Sequence, residues 1–286
     1  MPIATIDGIP TRYEILGSGP ALLMFSPGGF DATIEAWVSR GAYAQTKPLE
    51  HLSRNYTCVV FDRRESGGSG GRIERIGWRQ YMAQGKGLLE HLKIERAHLM
   101  GGCMGCSPVL AFATAHPEAV VSMVLYWPVG GPKYRLSSRQ RFAEHLAFVH
   151  REGLAAVVAL ARESGKPFGS DPRVGPWASV IRNDPKFAAR YGEQDLEAYK
   201  LIVMGMERGL FDRDTAPGAE PEDLLRLAIP ALIIPGRDRS HATSAARYLE
   251  ECLPRAEYWD TTVSEQTEAR ASARILQFLG ATSSAS

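Results

Sequence analysis

The sequence predicts an α/β fold, a doubly wound and mostly parallel sheet, and three observations lead to it. Short apolar runs, each the length of one strand buried on both faces, recur at residues 21–25, 56–61, 97–100 and 120–127. Helix-like segments separate several of these runs, as parallel strands require crossover connections. The alternation stops near Pro128 and resumes at 231–234, so a helical segment is inserted between late strands.

Taken in order, Arg-Tyr-Glu-Ile-Leu at 12–16 followed by Gly-Ser-Gly-Pro reads as a strand and a turn. Ala-Leu-Leu-Met-Phe at 21–25 is a continuous apolar strand, broken by Ser-Pro-Gly-Gly. Residues 56–61 repeat the pattern and end at Asp62-Arg63-Arg64-Glu65-Ser66-Gly67-Gly68-Ser69. A helix is expected over 78–93, a strand over 97–100, and an Ala-rich helix over 108–116 that Pro117 stops. Strands at 120–127, 231–234 and 256–259 follow, and an amphipathic helix over 273–279 closes the pattern. Between them, helices over 137–151, 153–164 and 194–210 are separated by joints such as Lys-Pro-Phe-Gly-Ser-Asp-Pro-Arg. The expected division is a core of 1–127 and 223–286 with a helical cap of 128–222. No internal repeat occurs, and low complexity is confined to the Ala/Ser tail at 280–286.

The 286 residues carry 33 basic and 32 acidic side chains, a balance that gives no electrostatic argument for nucleic acid or a membrane surface. Met-Pro-Ile-Ala-Thr-Ile-Asp lacks the basic and apolar regions of a signal peptide, and no stretch is long and apolar enough to span a bilayer. Four cysteines without regular spacing do not form a disulfide framework. A cytoplasmic location is expected, where thiols stay reduced. The expected partners are a small-molecule substrate and at most a second copy of the chain, with no cofactor and no metal.

The chemistry concentrates at Gly101-Gly102-Cys103-Met104-Gly105, between a buried strand and an apolar helix. The spacing is Gly-x-Cys-x-Gly. A nucleophile on so sharp a turn needs small neighbours, because the backbone passes close to itself. A thiol starts near pKa ~8.5 and is lowered at a helix N-terminus, where the dipole favours the anion. The plainer reading of Cys103 is a small buried thiol that tolerates the turn. Cys103 and Cys106 also spell Cys-x-x-Cys, which admits a redox or zinc reading, although no second pair accompanies it. Cys106 reads as packing inside the helix, and Cys58 and Cys252 as core.

In these residues the sequence resembles the α/β-hydrolase superfamily, over almost its whole length. Ser26-Pro27-Gly28-Gly29-Phe30 stands where that family has its oxyanion loop. Asp62 to Ser69 is similar to the family's Asp-x-Arg-Gly-x-Gly-x-Ser loop, with Glu65 in place of a glycine. Pro235-Gly236-Arg237-Asp238 resembles the turn that carries the family's acid, and the 128–222 insertion lies where these enzymes carry a cap. A cysteine elbow is a minority variant, as in dienelactone hydrolases. The family's histidine follows the last strand, here 260–266, but the chain reads Asp-Thr-Thr-Val-Ser-Glu-Gln there, and no histidine follows His241.

The resemblance implies a hydrolase of an ester, thioester or lactone with a cysteine nucleophile. Cys103 attacks, His241 is the substitute base, and Asp238 orients it. The N–H groups of Met104 and of Gly29 or Phe30 form the oxyanion hole. Glu65 and Glu265 are further candidates for acid/base work, Glu65 reading otherwise as a surface residue and Glu265 as a rim residue. The cap residues Tyr134, Phe142, Phe148, Phe168, Trp177, Tyr191 and Tyr199 suffice to line an apolar or aromatic pocket, and His145 and His150 are cap histidines able to face it. Two alternatives stand beside this reading: a non-catalytic scaffold that binds a small ligand, which the missing histidine favours, and an acyltransferase or cyclase using the same cysteine.

Overall fold

The computed structural model describes residues 1–283; the last three residues of the Ala/Ser tail lie outside the described residues. Eight strands form one sheet: β1 (Ile3–Ile6), β2 (Ile9–Leu16), β3 (Ala21–Phe25), β4 (Thr57–Phe61), β5 (Ala97–Gly102), β6 (Val120–Tyr126), β7 (Ala231–Ile234) and β8 (Ala256–Tyr258). Their spatial order is β1-β2-β4-β3-β5-β6-β7-β8. β1 and β2 pair antiparallel, as do β2 and β4, and every later pairing is parallel. The sheet is therefore mostly parallel, as the apolar runs require.

Those runs are apolar on both sides because both faces are covered. Along β3, Leu23 and Phe25 join the core layer that contains helix Cys106–Ala115, while Leu22 and Met24 join the opposite layer with Trp37, Tyr43 and Phe278. The first hairpin, β1 to β2, is absent from the expectation, which began the first strand at residue 12. Asp7 and Gly8 both have positive φ, +50° and +71°, the conformation in which an Asp-Gly pair closes a two-residue hairpin. That dipeptide was the available signal. Three short helices, Ala36–Ser39, Gly41–Thr46 and Pro48–Leu52, were likewise not expected, being too brief to show a period.

Between β6 and β7 the chain forms helices Pro132–Ser164, Ala178–Asn183, Pro185–Gly192 and Leu196–Leu210. The first is broken at Gly153, where φ is +79°, so it is two helices in series. Asp184 and Asp195 cap the last two by accepting N–H bonds from the first helical turn. These helices share an apolar cluster built on Trp177, Tyr191, Tyr199, Val203 and Met206, and Phe30 and Met104 of the sheet's carboxyl edge belong to it. Trp177 Nε1 donates to the Arg72 carbonyl at 2.9 Å, and Asn183 Nδ2 to that of Gly67 at 2.6 Å. The helices thus rest on the loops that follow β3 and β4.

At the end of β5 the chain turns sharply into the helix Cys106–Ala115. Cys103 sits at the turn with φ of +54°, a left-handed conformation that non-glycine residues adopt at a cost. The neighbours must be glycine. A Cβ on Gly105 would stand 2.3 Å from the Phe25 carbonyl oxygen, and one on Gly101 would stand 2.5 Å from the Gly105 oxygen.

These contacts predict the outcome of three substitutions. Gly105→Ala and Gly101→Ala press on backbone that cannot swing away, and each should destabilise the fold by at least the ~1–3 kcal/mol of an overpacked core. At this chain length that is a fall in melting temperature of several degrees. Gly29→Ala, with nothing within 4 Å of the new carbon, is the control and should melt with the wild type. Equal melting of all three variants would mean that the turn tolerates side chains.

Candidate active site

The elbow carries Cys103 to the floor of a cavity of about 410 Å³ between the sheet's carboxyl edge and the inserted helices. Gly28, Gly29, Phe30, Tyr134, Phe142 and Phe168 are among its walls. A larger cleft, about 640 Å³, lies at the opposite ends of the strands, beside Val120 and Ala256, and no cysteine or histidine is among the residues lining it.

Facing the sulfur is His241. It belongs to the loop after β7, which is zipped to the segment after β6: Gly130 N–H donates to the Ser240 carbonyl at 3.0 Å, and Gly130 bridges His241. Within the loop, Asp238 accepts the N–H groups of Ser240 (2.7 Å) and His241 (3.0 Å), and its carboxylate meets His241 Nδ1 at 2.8 Å. Nδ1 is thereby committed, and the ring's other nitrogen, Nε2, is buried without a hydrogen-bond partner of regular geometry. The group that it faces is Cys103, whose charge acts on the ring.

The position of the ring depends on two further residues to which the sequence reading gave no part in holding it. Trp127 follows β6 at φ of +55° and packs its ring against His241, with centroids 5.4 Å apart. Gly236 lets the loop close on both, since a Cβ there would stand 2.6 Å from the His241 Cβ and 3.0 Å from the Trp127 ring. Trp127 Nε1 in turn donates to Gln266 Oε1 at 2.8 Å, and Gln266 Nε2 donates to the Pro235 carbonyl at 2.7 Å. Gln266 is the last residue of the 260–266 stretch that lacks the family's histidine. Here it buttresses the loop that bears His241.

Electrostatically the three side chains form one unit. Burial pushes the Cys103 thiol up, but the His241 charge, a hydrogen bond with its ring, and the N–H groups of Met104 and Gly28 outweigh it, and the net shift is downward. For His241, burial disfavours the charged ring, yet the Cys103 charge and the bond to Asp238 prevail and raise it to about 10. Asp238, hydrogen-bonded to that ring, is held down to about 2 despite partial burial. The three shifts run in one sense, each toward the ionised form of its own group: thiolate, imidazolium and carboxylate.

The N–H groups that reach the sulfur are those of Met104 and Gly28. Gly29 and Phe30, the expected partners of Met104, line the same cavity. A fully buried cation holds this loop from behind. Arg63 Nη2 donates to the Gly28 carbonyl at 2.6 Å and also to that of Gly29, and its guanidinium lies 4.8 Å from the centre of the Tyr81 ring. A trans peptide points its N–H opposite to its C=O, so these bonds turn the N–H groups of Gly29 and Phe30 away from Arg63.

Two expected residues fall elsewhere. Glu65 is not a surface residue: it is fully buried, in a left-handed conformation with φ of +66°, and paired with Arg64 Nε at 3.0 Å. That φ explains why a glycine suits the position in the family. Burial pushes its carboxyl up to about 7 against the pull of Arg64, but it is not among the residues lining the Cys103 cavity. Glu265 turns back on Thr262, accepting its N–H at 2.9 Å, and lines a separate cleft with Arg247 and Asp260. Of the aromatic residues expected to line a pocket, Tyr134, Phe142 and Phe168 do so, joined by Phe30 and Phe211. Trp177, Tyr191 and Tyr199 are instead core of the inserted helices, and Phe148 lies under the Arg151 guanidinium. His145 is buried among that core, with Nε2 2.6 Å from the Tyr199 hydroxyl, and His150 meets Lys200 at the surface. Cys106 is spent on the Gly101 carbonyl, with Sγ at 3.1 Å. No group of three metal-ligating side chains occurs among the described residues.

Comparison with known proteins agrees with this architecture. The family model described as "alpha/beta hydrolase fold" matches residues 22–146. Over 78 residues the chain is 49% identical to the 2-hydroxy-6-oxo-6-phenylhexa-2,4-dienoate hydrolase of Comamonas testosteroni, a stretch covering 27% of this chain and 24% of that protein. Over 128 residues it is 32% identical to the fluoroacetate dehalogenase of a Burkholderia species, covering 43% and 39%. The first curated relatives are thus matched over 17% to 55% of their own lengths. The enol-lactonase of Burkholderia xenovorans superposes with a TM-score of 0.61 at 19% identity, covering 98% of this chain and all of that one. MGS-M2, an alpha/beta hydrolase enzyme from a deep-sea metagenome library, gives 0.62 at 21% identity, covering 98% and 97%. Strand order, elbow and these likenesses lead to one conclusion: the chain has the alpha/beta hydrolase fold.

Proposed function

We propose that the protein is a hydrolase of carboxylic esters, thioesters or lactones that works through a Cys103 acyl-enzyme, with His241 as base and Asp238 as its orienting acid. One observation carries the reading: the His241 ring lies between Asp238 and the Cys103 sulfur, with Nδ1 bonded to the acid and Nε2 left for the thiol. The absent histidine at 260–266 is the main argument for a non-catalytic scaffold, and the His241 ring beside the sulfur weighs against it. The hydrolase names of several matched proteins, with the enol-lactonase among the solved structures, support a hydrolase.

The reaction runs from the ion pair. The thiolate attacks the acyl carbon, and the carbonyl electron pair moves onto oxygen, where the N–H groups of Met104 and Gly28 donate. Such donors are worth ~3 kcal/mol each in the transition state. Collapse breaks the bond to the alkoxide or thiolate leaving group, which takes the imidazolium proton and departs, leaving a thioester on Cys103. Neutral His241 then takes a proton from water as its oxygen attacks the thioester, and the expelled thiolate restores the ion pair. The sum is acyl compound plus water to acid plus alcohol or thiol. A thiolate ester is itself activated, so thioesters, lactones and activated esters suit this site better than amides.

Two expectations follow. A depressed thiol pKa means that the thiolate is present above that value and is lost only as pH falls through it. Thiolate absorbance near 240 nm, taken as wild type minus Cys103→Ser, should persist at neutral pH, below the ~8.5 of a free cysteine. In His241→Ala burial remains without the countercharge, so the signal should move above ~8.5. Coincident titrations of the two proteins would sink the ion-pair description.

The second expectation concerns turnover of phenyl thioacetate. Cys103→Ala should be inactive and acquire no acyl adduct. His241→Ala should lose ~10²–10⁴ in turnover, as for a general base, while intact-mass spectrometry finds the acyl group accumulating on the protein. Undiminished hydrolysis by Cys103→Ala would refute the nucleophile assignment. A wild-type adduct that discharges to added thiols but not to water would mark an acyltransferase.

A further inference from the structure

The helix Pro132–Ser164 presents Tyr134, Ser138 and Arg141 to the cavity, at spacings of four and three residues that put them on one helix face. Tyr134 is 7% exposed, and its hydroxyl is buried with no partner. Its ring is held edge-on against Phe211 at 5.6 Å, so the hydroxyl cannot swing out to find one. A buried hydroxyl without a partner is costly, and a bound ligand that accepts its hydrogen bond removes the cost.

Charge in the cavity is unbalanced in one direction. Its single acid, Asp31, is engaged by Arg40 through both carboxylate oxygens, at 2.7 and 3.3 Å. Arg141 lines the same cavity and has no carboxylate or carbonyl partner among the described residues. Its neighbours on the helix differ: Arg135 pairs with Asp214 at 2.8 Å, and Arg139 pairs with Glu207. The Cys103–His241 pair carries no net charge wherever its shared proton sits, and Arg40 cancels Asp31. Behind the wall Arg63, bonded only to the Gly28 and Gly29 carbonyls, adds to the positive excess. On the wall itself the unpaired charge is the Arg141 guanidinium, a group that holds a carboxylate in a bidentate fork. The same wall is aromatic, with Phe30, Phe142 and Phe168 packed edge to face at 5.2 to 5.8 Å.

We infer that the natural substrate is an acyl compound carrying a second, free carboxylate, which Arg141 holds across an apolar spacer from the carbonyl attacked by Cys103, with the Tyr134 hydroxyl donating to the same ligand. This deepens the proposed function and rests on its placing the substrate in the Cys103 cavity. Arg141 is a specificity-determining residue, not a catalytic one. The phenol also lies close enough to the sulfur that, after burial, the Cys103 charge further opposes its ionisation, so it stays a donor throughout turnover.

Binding and turnover are tested separately. Monomethyl glutarate and dimethyl glutarate differ by one carboxylate and are titrated by calorimetry into the Cys103→Ala protein, which cannot consume them. The monoanion should bind ~10-fold or more tightly than the diester, as for a hydrogen bond to a charged group. In Cys103→Ala/Arg141→Gln that ratio should collapse toward one, and Arg141→Lys should restore part of it. Equal affinities in the first protein, an unchanged ratio after Arg141→Gln, or no binding of either ester at millimolar concentration would overturn the inference. In kinetics, the mono-p-nitrophenyl ester of glutaric acid is compared with p-nitrophenyl valerate. The anionic ester should lead in kcat/KM through a lower KM, and the lead should fall ~10-fold or more in Arg141→Gln. Preferential binding of the monoanion without hydrolysis of either nitrophenyl ester would refute the hydrolase reading and leave the carboxylate site standing. Hydrolysis of both at equal efficiency would do the reverse.

Discussion

The left-handed turn at Cys103 is the constraint on which the rest of the site depends. An L-residue at φ of +54° is strained, and the strain persists only because the surrounding chain leaves no other course. The Gly105 backbone lies against the Phe25 carbonyl, so the start of the helix and the end of β3 are fixed together. From that contact follow the position of the sulfur, the direction of the Met104 N–H, and the nearness of the loop that supplies the Gly28 N–H. The buried Arg63 completes the arrangement by tying the carbonyls of that loop to the strand end next door.

A second economy lies in the loop after β7. In the family resembled here the histidine and its acid come from separate loops, and the chain lacks the first of these. His241 and Asp238 are three residues apart, and the bond between them is local, reinforced by two N–H groups of the same loop. What has to be arranged at long range is only the approach of this loop to the sulfur. Gly236, Trp127 and Gln266 accomplish that: one by leaving room, one by packing on the ring, and one by bonding the indole and the Pro235 carbonyl. The glutamine at the end of the histidine-free stretch thus has a structural task in the same site.

Much of this was legible in the sequence because the signals are strong and local. Continuous apolar runs such as Ala-Leu-Leu-Met-Phe admit few readings once helices separate them, and glycines around a cysteine after such a run mark a tight turn. His241 could be singled out as a candidate from chemistry alone, since the chain offers no later histidine. What escaped the reading is what depends on direction. Glu65 resembled a surface charge because its burial comes from Arg64 folding over it and from the inserted helices, which no local pattern records. The choice between Gly28 and its neighbours as donor rests on the orientation of single peptide planes. Trp127 in the left-handed region and Gln266 beneath it are joined across more than a hundred residues, and no motif announces them.

Asp238 is about half exposed while His241 keeps only about a tenth of its side chain in solvent, and the surface cleft beside their loop is lined by Lys133, Arg237 and Arg239. The charge behind the ring is therefore the more open to dissolved ions, since the Cys103 sulfur is reached only through the cavity. Mobile ions screen exposed charges far more than enclosed ones, with a Debye length of about 8 Å at physiological ionic strength. Ionic strength then acts on this centre asymmetrically, from the rear. It screens the field of the carboxylate more than that of the sulfur. The medium outside the protein gains a means of adjusting the basicity of the ring that does not pass through the substrate cavity.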